Sequence, residues 1–248
     1  MILETEALTK SYGSLVAVDD VTWGVERGQS KAVIGPNGAG KTTFFNMLSS
    51  VIEPTEGTIR FNGDDITNLP QHKVAQLGIA KTFQINNIFE ELTVWENVQI
   101  AAQRTAAPKE KYAMHRKISS LDEVNAQTEE LIETVQLTED IKTEAANLSY
   151  GNKRKLEIGI GLATNPEVIL LDEPTAGMSA KETSTMLEFL KTLATDPEIT
   201  LVITEHDISV ILELADQITV LHNGQVLAEG TADEITSHDE VQRVYLSG

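Results

Sequence analysis

Apolar and polar residues follow two different patterns along this chain. Ser30–Ile34 and Val168–Leu171 are short runs that are mostly or wholly apolar, which is typical of strands buried on both faces of a sheet. Leu3–Lys10 and Val16–Val25 instead alternate apolar and polar residues, as antiparallel strands do when only one face is buried. The two patterns predict buried core strands and a separate antiparallel pair.

Further segments fit the same interpretation. Ile199–Thr204 is predicted to be another core strand, and Glu56–Asn62 a strand followed by a turn. Gly78–Gln84 is expected to lead outward from the core. Val220–Val226 contains Asn223-Gly224, the strongest short-range signal for a β-hairpin.

Helical spacing dominates elsewhere. Helices are predicted over Thr42–Ser50, over about Asn152–Ala163 and within Asp233–Leu246. Between residues 86 and 149 one face recurs at helical spacing, through Leu121, Val124, Thr128, Leu131, Ile132 and Val135. This segment is predicted to be a helical insertion into the core.

A glycine-rich stretch joins the first core strand to the first helix. It has the sequence G-P-N-G-A-G-K-T-T and fits the phosphate-loop pattern G-x-x-x-x-G-K-[ST]. Glycines let the backbone approach a ligand closely, and N–H groups at a helix start favour a phosphate. Lys41 is expected to reach the β- and γ-phosphates, and the Thr42 hydroxyl to coordinate Mg²⁺. The predicted nucleotide-binding residues are Gly35, Pro36, Asn37, Gly38, Ala39, Gly40, Lys41, Thr42 and Thr43.

Two adjacent carboxylates end the apolar run at Val168–Leu171. Asp172 is the natural partner for Mg²⁺, and Glu173 is placed to polarise a water for attack on the γ-phosphate. Pro174 and the preceding apolar run argue against an ordinary solvated turn.

The phosphate loop, L-S-Y-G-N at Leu148–Asn152 and V-I-L-L-D-E-P at Val168–Pro174 occur in this order. Together they resemble the ATP-binding-cassette (ABC) ATPases over essentially the whole chain. By this resemblance Tyr12 stacks on adenine, Gln84 senses the γ-phosphate and Mg²⁺, and His206 contacts the γ-phosphate. The implied catalytic residues are Glu173, His206 and Gln84, and the implied metal ligands are Thr42, Gln84 and Asp172.

The resemblance also implies the fold and the assembly. The expected fold is an α/β phosphate-loop cassette with a mixed core sheet, an antiparallel β-subdomain and an inserted α-helical subdomain. Residues 1–85 and 150–248 would form the core lobe and about 86–149 the helical lobe. ATP would be enclosed between two head-to-tail cassettes, where the signature residues Ser149, Tyr150, Gly151 and Asn152 face the nucleotide of the opposite subunit.

Finer similarity points to one group of transporters. Gly78–Val98, Tyr150–Ile158 and the ending V-Y-L-S-G resemble ATPase subunits of branched-chain amino-acid importers, with urea and short-chain amide importers as a close alternative. The implied partners are a second cassette, identical or paralogous, two permeases and, indirectly, an external solute-binding protein. The permease is expected to dock near Ile85–Leu92. A soluble ABC ATPase unconnected with transport is a remote alternative.

Composition narrows these expectations. The 248 residues include 38 acids against 19 bases, a net charge of −19, and no cysteine. Disulfides are therefore impossible, and so acidic a surface is expected to repel nucleic acid and anionic headgroups. We expect no membrane span and no export, and so a peripheral place on the cytoplasmic face of the membrane, reached through the permease. The charge also suggests adaptation to a salty cytosol.

Overall fold

The computed structural model describes residues 1–82, 88–106 and 119–246. Its strands are β1 (Leu3–Tyr12), β2 (Leu15–Val25), β3 (Ser30–Ile34), β4 (Glu56–Phe61), β5 (Asp64–Asp65), β6 (Ile79–Thr82), β7 (Val168–Asp172), β8 (Thr200–Thr204), β9 (Gln217–His222) and β10 (Gln225–Gly230). Its helices are α1 (Lys41–Leu48), α2 (Gln71–Leu77), α3 (Val94–Ala106), α4 (Ser119–Thr134), α5 (Tyr150–Leu162), α6 (Ala180–Ala194), α7 (Ile208–Leu214), α8 (Ala232–Ser237) and α9 (Asp239–Val241).

The strands form two sheets. One has six strands in the order β10-β9-β3-β8-β7-β6, all parallel except for β10 at its edge. The other has four antiparallel strands in the order β2-β1-β4-β5. The predicted fold class, a mixed core sheet with a separate antiparallel sheet and helices, is confirmed.

The core strands bury both of their faces. Along β7, Val168 and Leu170 pack into a cluster with α1 and the antiparallel sheet, whereas Ile169 and Leu171 pack into a second cluster with α5 and α6. Side chains alternate across a strand, so a continuous apolar run supplies both clusters at once. This explains why these strands lack polar alternation in the sequence.

A buried lysine links the two sheets. Lys31 on β3 is 3% exposed, and its ammonium donates to the Gly24 carbonyl at 2.6 Å and pairs with Glu229 at 2.9 Å. The same ammonium lies 5.1 Å from the ring centre of Trp23. These contacts satisfy a charge that would otherwise make this apolar strand unstable.

Most predicted boundaries are within one or two residues of those observed. The hairpin at Asn223-Gly224 joins β9 to β10, and both residues have positive φ, 50° and 83°, as a type I′ turn requires. The helix predicted from about Asn152 begins at Tyr150, because Ser149 caps it. Helix α5 packs against α3 and α4 as well as against β6 and α6. The division into two lobes at residues 86 and 149 stays a prediction.

Candidate functional site

Three core strands deliver the candidate residues to one edge of the sheet. Strands β3, β8 and β7 are parallel neighbours, and ligands bind beyond the carboxyl ends of such strands. The phosphate loop follows β3, Asp172 ends β7 with Glu173 directly after it, and His206 lies two residues beyond β8. The sheet order therefore brings together residues that are far apart in the sequence.

The phosphate loop requires glycine at two close approaches. A Cβ on Gly35 would lie 2.1 Å from the Leu221 carbonyl oxygen, and one on Gly40 would lie 2.4 Å from the Ala17 carbonyl oxygen. Gly40 is also the N-cap of α1, with φ 101°, a conformation that favours glycine. The loop thus passes tightly between neighbouring backbones and ends at the amino terminus of a helix, where an anion is stabilised.

Lys41 is the first residue of α1 and is folded back over the loop. Its Nζ donates to the carbonyl oxygens of Gly35 at 2.7 Å and Pro36 at 3.2 Å. Burial lowers the pKa of Lys41, while the nearby carboxylates of Glu173 and Asp172 oppose that shift. The ammonium is therefore held beside the loop and close to both acids.

The tip of the phosphate loop is exposed to solvent. Asn37 and Gly38 at the tip are exposed, Ala39 behind them is buried, and Pro36 is half-buried. Thr42, one residue into α1, is also exposed. An incoming triphosphate can therefore reach this rim without displacing packed side chains.

Asp172 is almost fully buried at the end of β7. Its Oδ1 accepts a hydrogen bond from the Thr204 hydroxyl at 2.7 Å, and its Oδ2 lies 3.6 Å from Nζ of Lys81. Lys81 on β6 also donates to Oδ1 of Asn46 at 2.6 Å. The carboxylate is thereby fixed in position between three of the site's elements, α1, β6 and β8.

Glu173 has an unusual backbone. Its φ is 50°, a left-handed conformation that a residue with a side chain adopts at some cost. Its N–H donates hydrogen bonds to the carbonyl oxygen of Thr204 at 3.0 Å and to Oγ1 of Thr204 at 3.2 Å. Its Oε1 lies 2.7 Å from Nε2 of His206. A carboxylate oriented by a histidine beside a phosphate loop can act as a general base.

Glu205, which was not among the predicted site residues, braces this edge of the site. Glu205 is 3% exposed, and its Oε1 accepts hydrogen bonds from the N–H and the hydroxyl of Thr175, both at 2.7 Å. Its Oε2 accepts from the His206 N–H at 3.1 Å. The carboxylate joins the loop after β7 to the loop after β8. Its place at the end of an apolar run, like that of Asp172, was the signal that could have identified it.

Lys81 was also missed, and its signal was weaker. It is a single cation inside the predicted segment Gly78–Gln84, where a solvated lysine is the ordinary expectation. Its partners, Asn46 and Asp172, are distant in the sequence and meet it only in the folded sheet.

The signature residues begin α5. Ser149 is the N-cap, and its side chain accepts from the Asn152 N–H at 3.2 Å. The Asn152 side chain donates to Asp140 at 2.7 Å and is therefore engaged within the subunit. Tyr150 is exposed beside the Arg154 guanidinium at 5.8 Å, and Gly151 is buried.

A cleft of about 240 Å³ lies beside this helix start. It is lined by residues between 149 and 155 and between 181 and 186, and by none of the phosphate loop. This cleft is therefore formed by the starts of α5 and α6.

Two predicted site residues remain, Tyr12 and Gln84. Tyr12 ends β1 with an exposed ring, and Nζ of Lys10 lies 5.3 Å from the centre of that ring. Gln84 lies outside the described residues, as does Ile85 at the start of the expected docking segment.

The donor set suits a hard cation that arrives with phosphate oxygens. The Thr42 hydroxyl and the Asp172 carboxylate are oxygen ligands of the kind Mg²⁺ prefers. Residues 1–82, 88–106 and 119–246 contain no group of three or more His, Cys, Asp or Glu that could hold a metal ion.

Comparisons with known proteins agree with this geometry. The sequence profile of the family described as "ABC transporter" matches residues 18–176. The chain is 38% identical to the high-affinity branched-chain amino acid transport ATP-binding protein BraF of Pseudomonas aeruginosa, covering 99% of this chain and 97% of that one. It is 36% identical to LivG of Escherichia coli K12, described in the same terms, with the same coverage.

Solved structures give the same result. The ADP conformation of MJ1267, an ATP-binding cassette of an ABC transporter, matches with a TM-score of 0.84 at 30% identity, over 100% of this chain and 99% of that one. A dimeric post-hydrolysis state of the cassette MJ0796, bound to ADP and Pi, matches with a TM-score of 0.76 at 26% identity, over 93% of this chain and 98% of that one.

None of the helices in the described ranges is long and apolar enough to cross a membrane.

The phosphate loop beside Asp172, Glu173 and His206, the capped signature helix and these similarities lead to one conclusion. The chain belongs to the ABC transporter family and is a nucleotide-binding cassette.

Proposed function

We propose that this chain is the ATP-hydrolysing subunit of an importer for branched-chain amino acids. The observation that carries the proposal is its similarity, over 99% of its length, to proteins named for branched-chain amino acid transport. A relative from Archaeoglobus fulgidus, named a probable branched-chain amino acid transport ATP-binding protein, is 36% identical. These relatives favour branched-chain amino acids over the urea and short-chain amide alternative.

The geometry supports the ATPase part of the proposal. Lys41 and the N–H groups of residues 37–43 bind the phosphates, and Thr42 and Asp172, with Gln84, hold Mg²⁺. Glu173 accepts a proton from the attacking water, and His206, 2.7 Å away, orients that carboxylate and contacts the γ-phosphate. Tyr12 offers its exposed ring to adenine.

The signature supports a shared site. Ser149 presents a capped, exposed helix start that can bind an anion, and its cleft excludes the phosphate loop. We infer that Ser149 and Gly151, with Tyr150 and Asn152 beside them, face the γ-phosphate bound by a second cassette. ATP then closes the dimer and hydrolysis releases it, a switch based on γ-phosphate contacts.

The assembly follows from this role. The cassette pair acts beneath two permeases on the cytoplasmic face of the membrane, and an external binding protein supplies the solute. Residues 86–149 act as the helical lobe, and the segment Ile85–Leu92 receives the permease. Phe89 within this segment is 57% exposed, which suits an apolar contact with a partner.

Uptake by cells tests the proposal. A strain that lacks this gene is complemented with the wild-type chain, with Glu173→Gln, or with Glu129→Gln as a matched control on the exposed face of α4. We expect wild type and Glu129→Gln to restore accumulation of radiolabelled leucine, and Glu173→Gln to fail. Normal leucine uptake in the deletion strain, together with lost urea or amide uptake, would contradict the proposed solute.

A further inference from the structure

A buried ion pair lies beside the nucleotide site, and its lysine has no role in the proposed steps of ATP binding and hydrolysis. Lys81 and Asp172 each have side chains that are only 6% exposed, and Nζ lies 3.6 Å from Oδ2. Burying a lysine is costly unless an opposite charge accompanies it. Lys81 is therefore in place because of Asp172, the proposed metal ligand.

The position of Lys81 is defined by three elements. It lies on β6 opposite Leu170 of β7, two residues before Asp172. Its ammonium donates to Asn46, which is one helical turn beyond Thr42 on α1. The Lys81 ammonium thus links α1, the helix that follows the phosphate loop, to β7, the strand that ends with Asp172.

The other oxygen of Asp172 is also occupied. Oδ1 accepts the Thr204 hydroxyl at 2.7 Å, so Lys81 faces the carboxylate oxygen that remains. Glu173 and the buried Glu205 also lie at this edge of the site, so Lys81 offsets the charge of Asp172 and not that of the whole site. A divalent cation that arrives alone would have to share Asp172 with this ammonium.

We propose that Lys81 is a positioning residue for Asp172 whose ammonium competes with a divalent cation for this carboxylate, so that the cation binds tightly only when a triphosphate accompanies it. The triphosphate contributes further oxygen ligands and negative charge. This inference rests on the proposed function for its assignment of Asp172 as the metal ligand.

Metal binding without nucleotide tests it. Nucleotide-free protein is titrated with Mn²⁺ in about 0.5 M KCl, which screens the acidic surface, and free Mn²⁺ is followed by electron paramagnetic resonance. We expect Lys81→Met to bind Mn²⁺ about tenfold or more tightly than wild type, because a like charge a few ångströms away has been removed. Lys81→Arg keeps the charge and should resemble wild type. Adding Asp172→Asn to Lys81→Met should abolish the gain.

Three results would overturn the inference. The first is Lys81→Met binding Mn²⁺ no more tightly than wild type, even if the variant is less stable, since a purely structural lysine would behave so. The second is a gain that survives Asp172→Asn. The third is wild-type protein that already binds Mn²⁺ tightly without nucleotide and loses that binding in Asp172→Asn.

Two features keep the test decisive. If Lys81→Met does not fold, as judged by circular dichroism, Lys81→Gln is judged by the same criteria, and the comparison of wild type with Asp172→Asn needs neither variant. Because no step requires turnover, failure of this inference differs from failure of the proposed function, which would appear as absent ATP hydrolysis in the wild-type protein.

Discussion

At the scale of single residues, the site depends on side chains that neighbouring residues hold in one conformation. Glu173 is held at φ 50° by two contacts with Thr204, and its carboxylate lies against His206. Strained backbone of this kind persists where the surroundings over-determine it. The constrained backbone and the contact with His206 together restrict the orientation of the Glu173 carboxylate.

Glu173→Gln should abolish turnover while leaving ATP binding intact. Gln cannot accept the proton from water, and loss of a positioned base lowers the rate by about 10²-fold or more. Phosphate release measures the rate, and calorimetry with ATP measures the binding. Near-normal hydrolysis in this variant would remove Glu173 from its role, with Glu129→Gln as the control that should match wild type.

Lys41→Ala should weaken ATP binding, the step before hydrolysis. The ammonium lies against the loop, 2.7 Å from the Gly35 carbonyl oxygen, and charge-assisted bonds to phosphate contribute about 1.5–3 kcal/mol. ATP affinity should therefore fall by about tenfold to a hundredfold when measured by calorimetry. Lys142→Ala, at an exposed position, is the control. Unchanged affinity in Lys41→Ala would show that this lysine does not bind the phosphates.

At the scale of secondary-structure elements, side-chain caps define where helices begin. Ser179 directly precedes α6. It caps α6 in a reciprocal arrangement with Glu182, in which each side chain bonds the backbone N–H of the other. The position therefore has a structural role that serine performs well.

Ser179→Ala should lower the free energy of unfolding by about 1 kcal/mol, because the hydrogen bond from the Glu182 N–H to the Ser179 hydroxyl oxygen is lost. Ser179→Asp should keep most of the stability, since Asp is also a good N-cap. Denaturation in urea, with the slope checked to be unchanged, measures both variants. Equal stability of Ser179→Ala and wild type would show that the cap contributes nothing.

The elements were largely predictable from the sequence, whereas their side-chain contacts were not. Ser30–Ile34 and Val168–Asp172 are strands as predicted, since continuous apolar runs bounded by glycine or acids leave few alternatives. The phosphate loop was recognisable because backbone geometry dictates its glycines. Lys81 and Glu205 were missed, because the sequence does not reveal which carboxylate or threonine meets them across the sheet.

At the scale of the whole molecule, charge is the dominant feature. A net charge of −19 on 248 residues opposes compaction through self-repulsion, which salt reduces because the screening length falls from about 10 Å at 0.1 M to about 3 Å at 1 M. Adaptation to a salty cytosol stays a prediction. The buried lysines Lys31 and Lys81 form ion pairs with carboxylates inside the fold. Dissolved salt screens such buried pairs much less than it screens surface charges.

The melting temperature should therefore rise between about 0.1 M and about 2 M KCl, and ATP hydrolysis should persist in molar KCl. Calorimetric scans and phosphate release at matched pH measure the two responses. Activity that peaks at low salt and fades in molar KCl would contradict the adaptation. It would leave the cassette assignment unaffected.

The central claim is that ATP joins two cassettes through the capped start of α5. Light scattering on Glu173→Gln with ATP and Mg²⁺ tests it most directly, with Ser149→Arg added in a second sample. We predict a species of twice the 27.1 kDa monomer mass in the first sample, and a monomer that still binds ATP in the second. An ATP-loaded dimer that forms equally well with Ser149→Arg would contradict the claim.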